Sequence, residues 1–405
     1  MLRAIVTSSD SVPSVPGFRF AGVTAGIKKR GGPDLGAILA ERPIPTAAVL
    51  TTNQVQAAPV LLTRERVSRG RAQLLLVNSG CANACTGAPG MRATVSSCAA
   101  AGRAFGVEAE DVLPASTGVI GQLLPVDRVK AALPLLKAGM REDGLADFSR
   151  AILTTDKGPK VAGVQLTLER KKVTVVAVAK GAGMIHPNMA TTLGFVLTDA
   201  KVHPALLRRL LRSATDATFN ALTVDGDTST NDCIIAMASG VSGHAALTST
   251  GRAVSRLEAA IREVLGGVGR MIVADGEGSR HVVQLEVRGL RTDAEARRIA
   301  ATVATSNLVK TAFFGQDPNW GRLIAAAGRA GVRFDADVAQ VHVGDVRIVH
   351  RGVAVGPEAE RAAHAIMSGP EYSVRLTLGR GPGKARYLTC DLGTDYVKLN
   401  ADYRS

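Results

Sequence analysis

The sequence predicts a mixed α/β fold in which helices are layered on hairpin-rich sheets, and it does not follow the parallel Rossmann pattern. Strand-like and helix-like segments alternate along the 405 residues, and hairpins join many of the strands. Hydrophobic residues make up 46% of the chain, but aromatic residues make up only 3%. The core must therefore consist mainly of Ala, Val, Leu and Ile, which suits helices packed closely on sheets.

The N-terminal third contains short apolar runs that end in polar loops. AAVLTTN (47–53) and AQLLLVNSG (72–80) have the composition of buried strands. A helical stretch follows over residues 91–105, and DVLPASTGVIG (111–121) predicts another strand that runs into a Thr/Gly loop.

The clearest hairpin lies in the middle of the chain. Val164, Leu166 and Leu168 alternate with polar residues, a charged turn follows, and a second apolar run covers residues 173–179. LGFVLT (193–198) then supplies a further buried strand.

From His203 onward the hydrophobic period changes, because Leu and Ala recur at helical spacing with arginines on the opposite face. Later helices are predicted over residues 255–265, 293–305 and 357–367, and later strands over residues 281–289, 338–355 and 373–392, the last two ranges as hairpins. Pro357 suits the first turn of the last helix. Composition alone marks no secure domain boundary.

The formal net charge of +14 raises the question of a nucleic-acid partner. The basic residues are scattered, however, and the longest basic runs are triplets at residues 28–30 and 170–172. A surface that binds nucleic acid also needs aromatic side chains for base stacking, and few are present. The charge therefore favours an anionic small-molecule substrate, and no nucleic-acid partner is expected.

The cysteine pattern and the apolar runs predict a cytoplasmic protein. Five cysteines, an odd number without a CxxC pair, are typical of free thiols in a reducing compartment. No apolar run resembles a signal peptide or reaches the roughly 18 residues needed to span a membrane, so no membrane association is expected.

Motifs for metal and nucleotide chemistry are absent from the sequence. It contains no GxSxG, HExxH or GxGxxG, and its seven histidines are dispersed. GRGPGKA (379–385) has the wrong spacing for a phosphate-binding loop, and it is predicted to join two strands. We therefore expect neither a metal nor a cofactor, which leaves a hydroxyl group as the candidate nucleophile.

KGAGMIHPNMATTLGF (180–195) places two threonines between a glycine-rich loop and a strand. A threonine that begins a chain is activated by its own α-amine, whose pKa of about 8 suits a general base. Such a residue arises inside a chain when its hydroxyl attacks the preceding carbonyl and the peptide bond breaks. On the residues alone, ordinary turn and strand composition remains the commoner explanation.

The same stretch closely resembles the signature of the bifunctional glutamate N-acetyltransferases, or ornithine acetyltransferases, of arginine biosynthesis. Further segments resemble that family in the same order: AAVLTTNQVQAAPV (47–60), VNSGCANACTG (77–87), ASTGVIG (115–121), ILTTDK (152–157), FNALTVDGDTSTND (219–232), VADGEG (273–278), FFGQDPNWGR (313–322) and DYVKLNADYRS (395–405). The resemblance covers essentially the whole chain.

The resemblance implies that the precursor cleaves itself between Ala190 and Thr191, and that Thr191 is the nucleophile. Residues 1–190 would form an α chain and residues 191–405 a β chain, and two copies of each would assemble as a heterotetramer. This sequence departs from the family at Thr192, where a large apolar residue is usual. The match of the preceding PNMA favours Thr191 over Thr192.

The resemblance also implies the roles of the other site residues. Thr117 and Gly118 in ASTGVIG match the oxyanion segment that acyl transfer requires. Lys180 would bind a substrate carboxylate and Glu277 an ammonium group. Further substrate-binding roles are implied for Thr154, Asn400 and Ser405, the last of which replaces the usual Thr. Three carboxylates, Asp225, Asp227 and Asp232, are interpreted as loop caps rather than a cation site.

The implied reaction moves the acetyl group of N2-acetylornithine to glutamate through an acetyl-threonine, with ping-pong kinetics and without a cofactor. Some members of the family also accept acetyl-CoA, and the motifs leave open whether this chain does. Two alternatives remain: a self-processed N-terminal-threonine amidase or aminopeptidase, which would pass the acyl group to water, and a basic nucleic-acid-binding protein.

Overall fold

The computed structural model describes residues 12–186 and 192–402, which form two mixed sheets and their covering helices. The strands of the first sheet are β1 (Phe18–Val23), β2 (Leu35–Leu50), β3 (Arg71–Cys81), β4 (Val112–Val119), β5 (Lys160–Leu168), β6 (Lys171–Lys180), β7 (Leu193–Thr198) and β8 (Cys233–Ala238). Those of the second sheet are β9 (Val282–Gly289), β10 (Gln340–Val343), β11 (Val346–His350), β12 (Val353–Ala354), β13 (Glu371–Thr377) and β14 (Gly381–Cys390).

Helices lie between many of these strands along the chain. They are α1 (Ala58–Val67), α2 (Gly87–Phe105), α3 (Val126–Ala138), α4 (Leu145–Ala151), α5 (Pro204–Ala217), α6 (Arg252–Ala274), α7 (Asp293–Ala304), α8 (Asn307–Phe314), α9 (Trp320–Gly328), α10 (Pro357–Met367) and α11 (Thr394–Asp402). Within residues 12–186 and 192–402, none of these helices is long and apolar enough to cross a membrane. The predicted mixed α/β class is confirmed.

In the middle of the chain, the structure contains the hairpin and the helix that the hydrophobic patterns predicted. β5 and β6 pair as an antiparallel hairpin from Lys160↔Ala179 to Leu168↔Lys171, with Glu169 and Arg170 at the turn. In α5 the leucines at helical spacing are all buried. Neighbouring elements cover one face of α5, whereas they cover both faces of most of β5 and β6.

The first sheet folds over so that its two halves face each other. The first part of β2, up to Pro45, pairs with β3, and the rest, from Thr46, pairs with β8. The register of β2 against β3 shifts between Leu39 and Ile44. One hydrophobic cluster takes side chains from both halves, and Phe148 meets Phe195 edge-on within it, with 5.4 Å between ring centroids. Helices α5 and α6 cover one outer face, whereas α2 and α3 cover the other. The result is four layers, with helices outside two stacked sheet halves.

The prediction of a hairpin over residues 373–392 is wrong. Strands β13 and β14 do not pair with each other, because β9 lies between them, parallel to β13 and antiparallel to β14. The short connection must therefore pass over the end of β9. Close backbone approach makes this crossing depend on glycine: a Cβ atom on Gly289 would collide with the backbone of Gly379. The connection over residues 378–380 thus crosses the end of a strand rather than closing a hairpin, and the rest of GRGPGKA lies in β14.

Strand β7 ties the two predicted fragments together. It begins at Leu193, two residues after Thr191, and lies between β6 and β8. Strand β8 in turn pairs with β2, so the two strands that follow residue 190 lie between strands that precede it. The predicted domain limits of 1–190 and 191–405 therefore divide a single sheet rather than two separate units.

Candidate active site

Six of the predicted site residues line one cavity at the ends of β4 and β6 and the start of β7. They are Thr117, Gly118, Thr154, Lys180, Glu277 and Asn400. Ala190, Thr191 and Ser405 lie outside the described residues. Thr192, which directly follows the predicted nucleophile, also lines the cavity.

Lys180 is the last residue of β6, and its ammonium group points at two threonine hydroxyls. Its Nζ donates to Thr154 Oγ1 at 2.6 Å and to Thr117 Oγ1 at 3.2 Å. A carboxylate oxygen of Asp156 lies 3.9 Å away. Burial lowers the pKa of Lys180, and the charge of Asp156 partly opposes this effect. Lys180 is buried and is therefore not a solvated surface lysine.

The Thr117–Gly118 pair lies at the end of β4, where this strand runs parallel to β3. Gly118 pairs with Gly80 and has a φ of 130°. A Cβ atom at this position would collide with the backbone of Gly80 and Cys81, so the close approach of the two strands requires glycine. This leaves a threonine hydroxyl and a strand end at the cavity wall, where an oxyanion site could be formed.

Glu277 reaches the cavity from the loop after α6. Its backbone N–H donates to the carbonyl of Ala182 at 2.9 Å, which fixes this loop against the segment that follows β6. Asn400 of α11 donates from Nδ2 to Glu277 Oε2 at 2.9 Å. The two residues, which are far apart in sequence, therefore act on the same part of the cavity.

The acidic loop between residues 225 and 232 forms another wall. Asp225 accepts hydrogen bonds from the N–H groups of Met184 and Ile185 at 2.6 and 2.8 Å, so the predicted loop-capping role is confirmed for this residue. Asp232 is buried, and its Oδ2 has no partner among the described residues. Burial raises its pKa well above the ordinary value. No three His, Cys, Asp or Glu side chains within the described chain are arranged to hold a metal ion.

Thr192 is engaged in the sheet rather than free. Its side chain is buried, and its hydroxyl donates to the carbonyl of Lys180. Its own carbonyl accepts from the N–H of Cys233 at 2.9 Å. A hydroxyl held in this way is poorly placed to attack a substrate.

Sequence reasoning missed two residues that shape the site, Asp156 and Tyr396. Asp156 lies in ILTTDK two residues after the predicted Thr154, and Tyr396 lies in DYVKLNADYRS and lines the cavity. Both belong to segments that the resemblance marked, but neither had an assigned role. The only signal in the sequence was a polar residue near a predicted substrate-binding residue. Many surface loops contain such polar residues.

Comparison with known proteins identifies the family of the chain. The sequence profile of the ArgJ family matches residues 19–405. The arginine biosynthesis bifunctional protein ArgJ of Geobacter sulfurreducens is 46% identical over 392 residues, which cover 97% of this chain and 100% of the relative.

Two solved structures are also similar. The crystal structure of arginine biosynthesis bifunctional protein ArgJ from Bacillus halodurans shares 34% identity and covers 52% of this chain and 98% of its own, with a TM-score of 0.50. The ornithine acetyltransferase of Mycobacterium tuberculosis, solved with ornithine, shares 37% identity and covers 47% of this chain and 100% of its own, with a TM-score of 0.44.

This chain of mixed α/β fold is an acetyltransferase that acts in arginine biosynthesis, as the sequence predicted. The chain belongs to the ArgJ family.

Proposed function

We propose that this protein transfers the acetyl group of N2-acetylornithine to glutamate through an acetyl group carried on Thr191. The observation that carries this proposal is the convergence of six predicted residues, from segments up to 283 positions apart, on one cavity beside Thr192. Residues 117 and 400 are the outermost of them.

The chemistry needs a nucleophile, a base and an oxyanion site. The hydroxyl of Thr191 attacks the acetyl carbonyl, and its α-amine accepts the hydroxyl proton. The C–N bond to ornithine breaks and the proton passes to the leaving amine. Glutamate then attacks the ester with its own amine, so Thr191 is regenerated and no cofactor is consumed. Donors at Thr117 and Gly118 would stabilise the developing oxyanion.

The charges of the cavity match those of the two substrates. Both carry a carboxylate for Lys180, and ornithine presents an ammonium group for Glu277. Asn400, which holds Glu277, and Thr154, which holds Lys180, would orient these two charges. Ser405 is proposed as a further ligand from the C-terminus. Whether acetyl-CoA also serves as a donor is a separate question for the same cavity.

Self-cleavage between Ala190 and Thr191 would produce the nucleophile. The fragments would stay together because β6, β7, β8 and β2 are adjacent strands of one sheet. The solved Bacillus halodurans chain is matched over 98% of its length by 52% of this chain, so it is about half as long, as a cleaved fragment would be. We further propose a cytoplasmic assembly of two α and two β chains.

Intact-mass spectrometry of the purified protein tests the proposal directly. Two fragments that meet at 190/191, with an acetyl mass on the C-terminal one after addition of N2-acetylornithine, are expected. Glutamate should then remove this mass as N-acetylglutamate. Release of acetate at the same rate without glutamate would instead identify an amidase. An uncleaved chain with full transferase activity would rule out the mechanism.

A further inference from the structure

The carboxylate of Asp156 lies directly behind the cavity lysine. Its side chain is fully buried, and it accepts hydrogen bonds from the N–H of Gly181 at 2.6 Å and of Thr154 at 3.0 Å. Gly181 follows Lys180 in sequence, and Thr154 holds the ammonium group of Lys180. One carboxylate thus fixes the backbone on both sides of the Lys180–Thr154 contact.

A second buried lysine shares this carboxylate. Lys160 Nζ lies 2.7 Å from Asp156 and 2.6 Å from Asp275, and only 3% of its side chain is exposed. Lys180, Asp156, Lys160 and Asp275 therefore form a row of side chains that runs from the cavity to the end of α6. The two positive charges of this row balance its two negative charges. Because a buried charge without a partner is strongly unfavourable, the charge state of each member depends on the others.

We propose that Asp156 is a positioning residue that keeps Lys180 protonated and oriented for the substrate carboxylate. The proposal rests on the proposed function, in which Lys180 binds that carboxylate. Asp156 is not among the described residues that line the cavity, so it acts through Lys180 and not on the substrate.

The electrostatic surroundings of Lys180 set the direction of the effect. The charged groups that face it are the carboxylates of Asp156, Asp232 and Glu277 and the ammonium groups of Lys160 and Lys28. Burial lowers the pKa of Lys180, and Asp156 is the foremost group that raises it again. In Asp156→Asn the burial and the positive charge of Lys160 remain. The pKa of Lys180 should fall, and because a lysine is charged only below its pKa, its charge would be lost as the pH rises.

An NMR titration of isotope-labelled lysine side chains measures this without reference to activity. In Asp156→Asn the pKa of Lys180 should fall by about one unit or more relative to the unaltered protein. Asp275→Asn is the matched control, since it removes a carboxylate from the same row but not from Lys180, and it should leave that pKa nearly unchanged. Equal titration curves for Lys180 in Asp156→Asn and the unaltered protein would overturn the proposal.

Lys160→Gln gives a test of opposite sign, which also serves if Asp156→Asn does not fold. The positive charge of Lys160 lowers the pKa of Lys180, so its removal should raise that pKa. A lowered or unchanged value would contradict the proposed row of charges.

Kinetics of the half-reaction separate this inference from the proposed function. The acetylation of the C-terminal fragment by N2-acetylornithine would be followed by mass from about pH 6 to pH 9. In Asp156→Asn the apparent Kd should rise about tenfold per pH unit above the lowered pKa of Lys180, with little change in the limiting rate. A lowered pKa with a constant Kd would refute the binding role of Lys180 and leave the role of Asp156 intact.

Discussion

The two sheets of this protein bury their strands differently. In the first sheet, β7 is buried at every position, and β6 is buried at all but its first two, because a second sheet half and a helix layer cover the two faces. In the second sheet, β13 alternates between buried and half-buried residues along its whole length. One face of the second sheet holds the core, and the other remains partly open to solvent.

This difference coincides with the location of the polar residues. Strands of the first sheet bury Asn78, Ser116, Lys160 and Lys180, whereas the strands of the second sheet bury no charged residue and only the hydroxyl-bearing Tyr372, Tyr387 and Thr389. None of the described cavity-lining residues belongs to a strand of the second sheet. The first sheet and its two helix layers can therefore hold charged side chains away from water, which strengthens the electrostatic interactions between them. The second sheet leads through β14 into α11, which supplies Tyr396 and Asn400 to the cavity.

The largest effect should come from Thr191→Ala. It removes the hydroxyl that is proposed both to cut the chain and to carry the acetyl group. We expect no fragments on intact-mass analysis and a loss of kcat of at least about a thousandfold. Thr192→Val is the matched control, since the hydroxyl of Thr192 is already bonded to the carbonyl of Lys180. Cleavage and acetylation that survive in Thr191→Ala but fail in Thr192→Val would move the nucleophile by one residue.

The second largest effect is expected at Thr117, where the first sheet forms a wall of the cavity. Thr117→Ala removes a hydroxyl at the proposed oxyanion site, and kcat should fall about 10²-fold or more, with little change in thermal stability. Thr155→Ala, which alters another threonine of the cavity lining, should change kcat by less than about threefold. Steady-state kinetics with both substrates distinguish the two variants. Equal losses would mean that Thr117 only shapes the cavity.

A contact in this site can be predicted from the sequence only when the residues that form it are close together along the chain. Alternation predicted the hairpin that ends at Lys180, because strand burial is a local, period-two property. Local pattern could not show that Lys160 would meet Asp275, since 115 residues separate them and tertiary packing alone joins them. The same limit explains the wrong hairpin at residues 373–392, where a distant strand, β9, is inserted between two neighbours in sequence.

A smaller effect is expected at Glu277, where the loop after α6 meets α11 beside the cavity. Glu277→Gln removes the charge proposed to bind the ammonium group of N2-acetylornithine, while Asn400 can still donate to the amide oxygen. The KM for N2-acetylornithine should rise about tenfold or more, because a hydrogen bond to a charged group is worth about 1.5–3 kcal/mol. Asp395→Asn, which alters a half-buried carboxylate of α11 outside the cavity lining, should leave KM within about twofold. A similar KM for both variants would place the ammonium group elsewhere.

The smallest effect on activity should come from the second sheet, although its effect on stability is large. Leu285 is fully buried in β9, between β13 and β14. Leu285→Ala should lower the free energy of unfolding by about 2–5 kcal/mol, as measured by urea denaturation. The kcat per acetylated site should nevertheless remain within about twofold, since this core shares no residue with the cavity lining. A tenfold loss of kcat in the folded variant would show that the second sheet transmits its packing to the catalytic groups, and the division between site and scaffold would then fail.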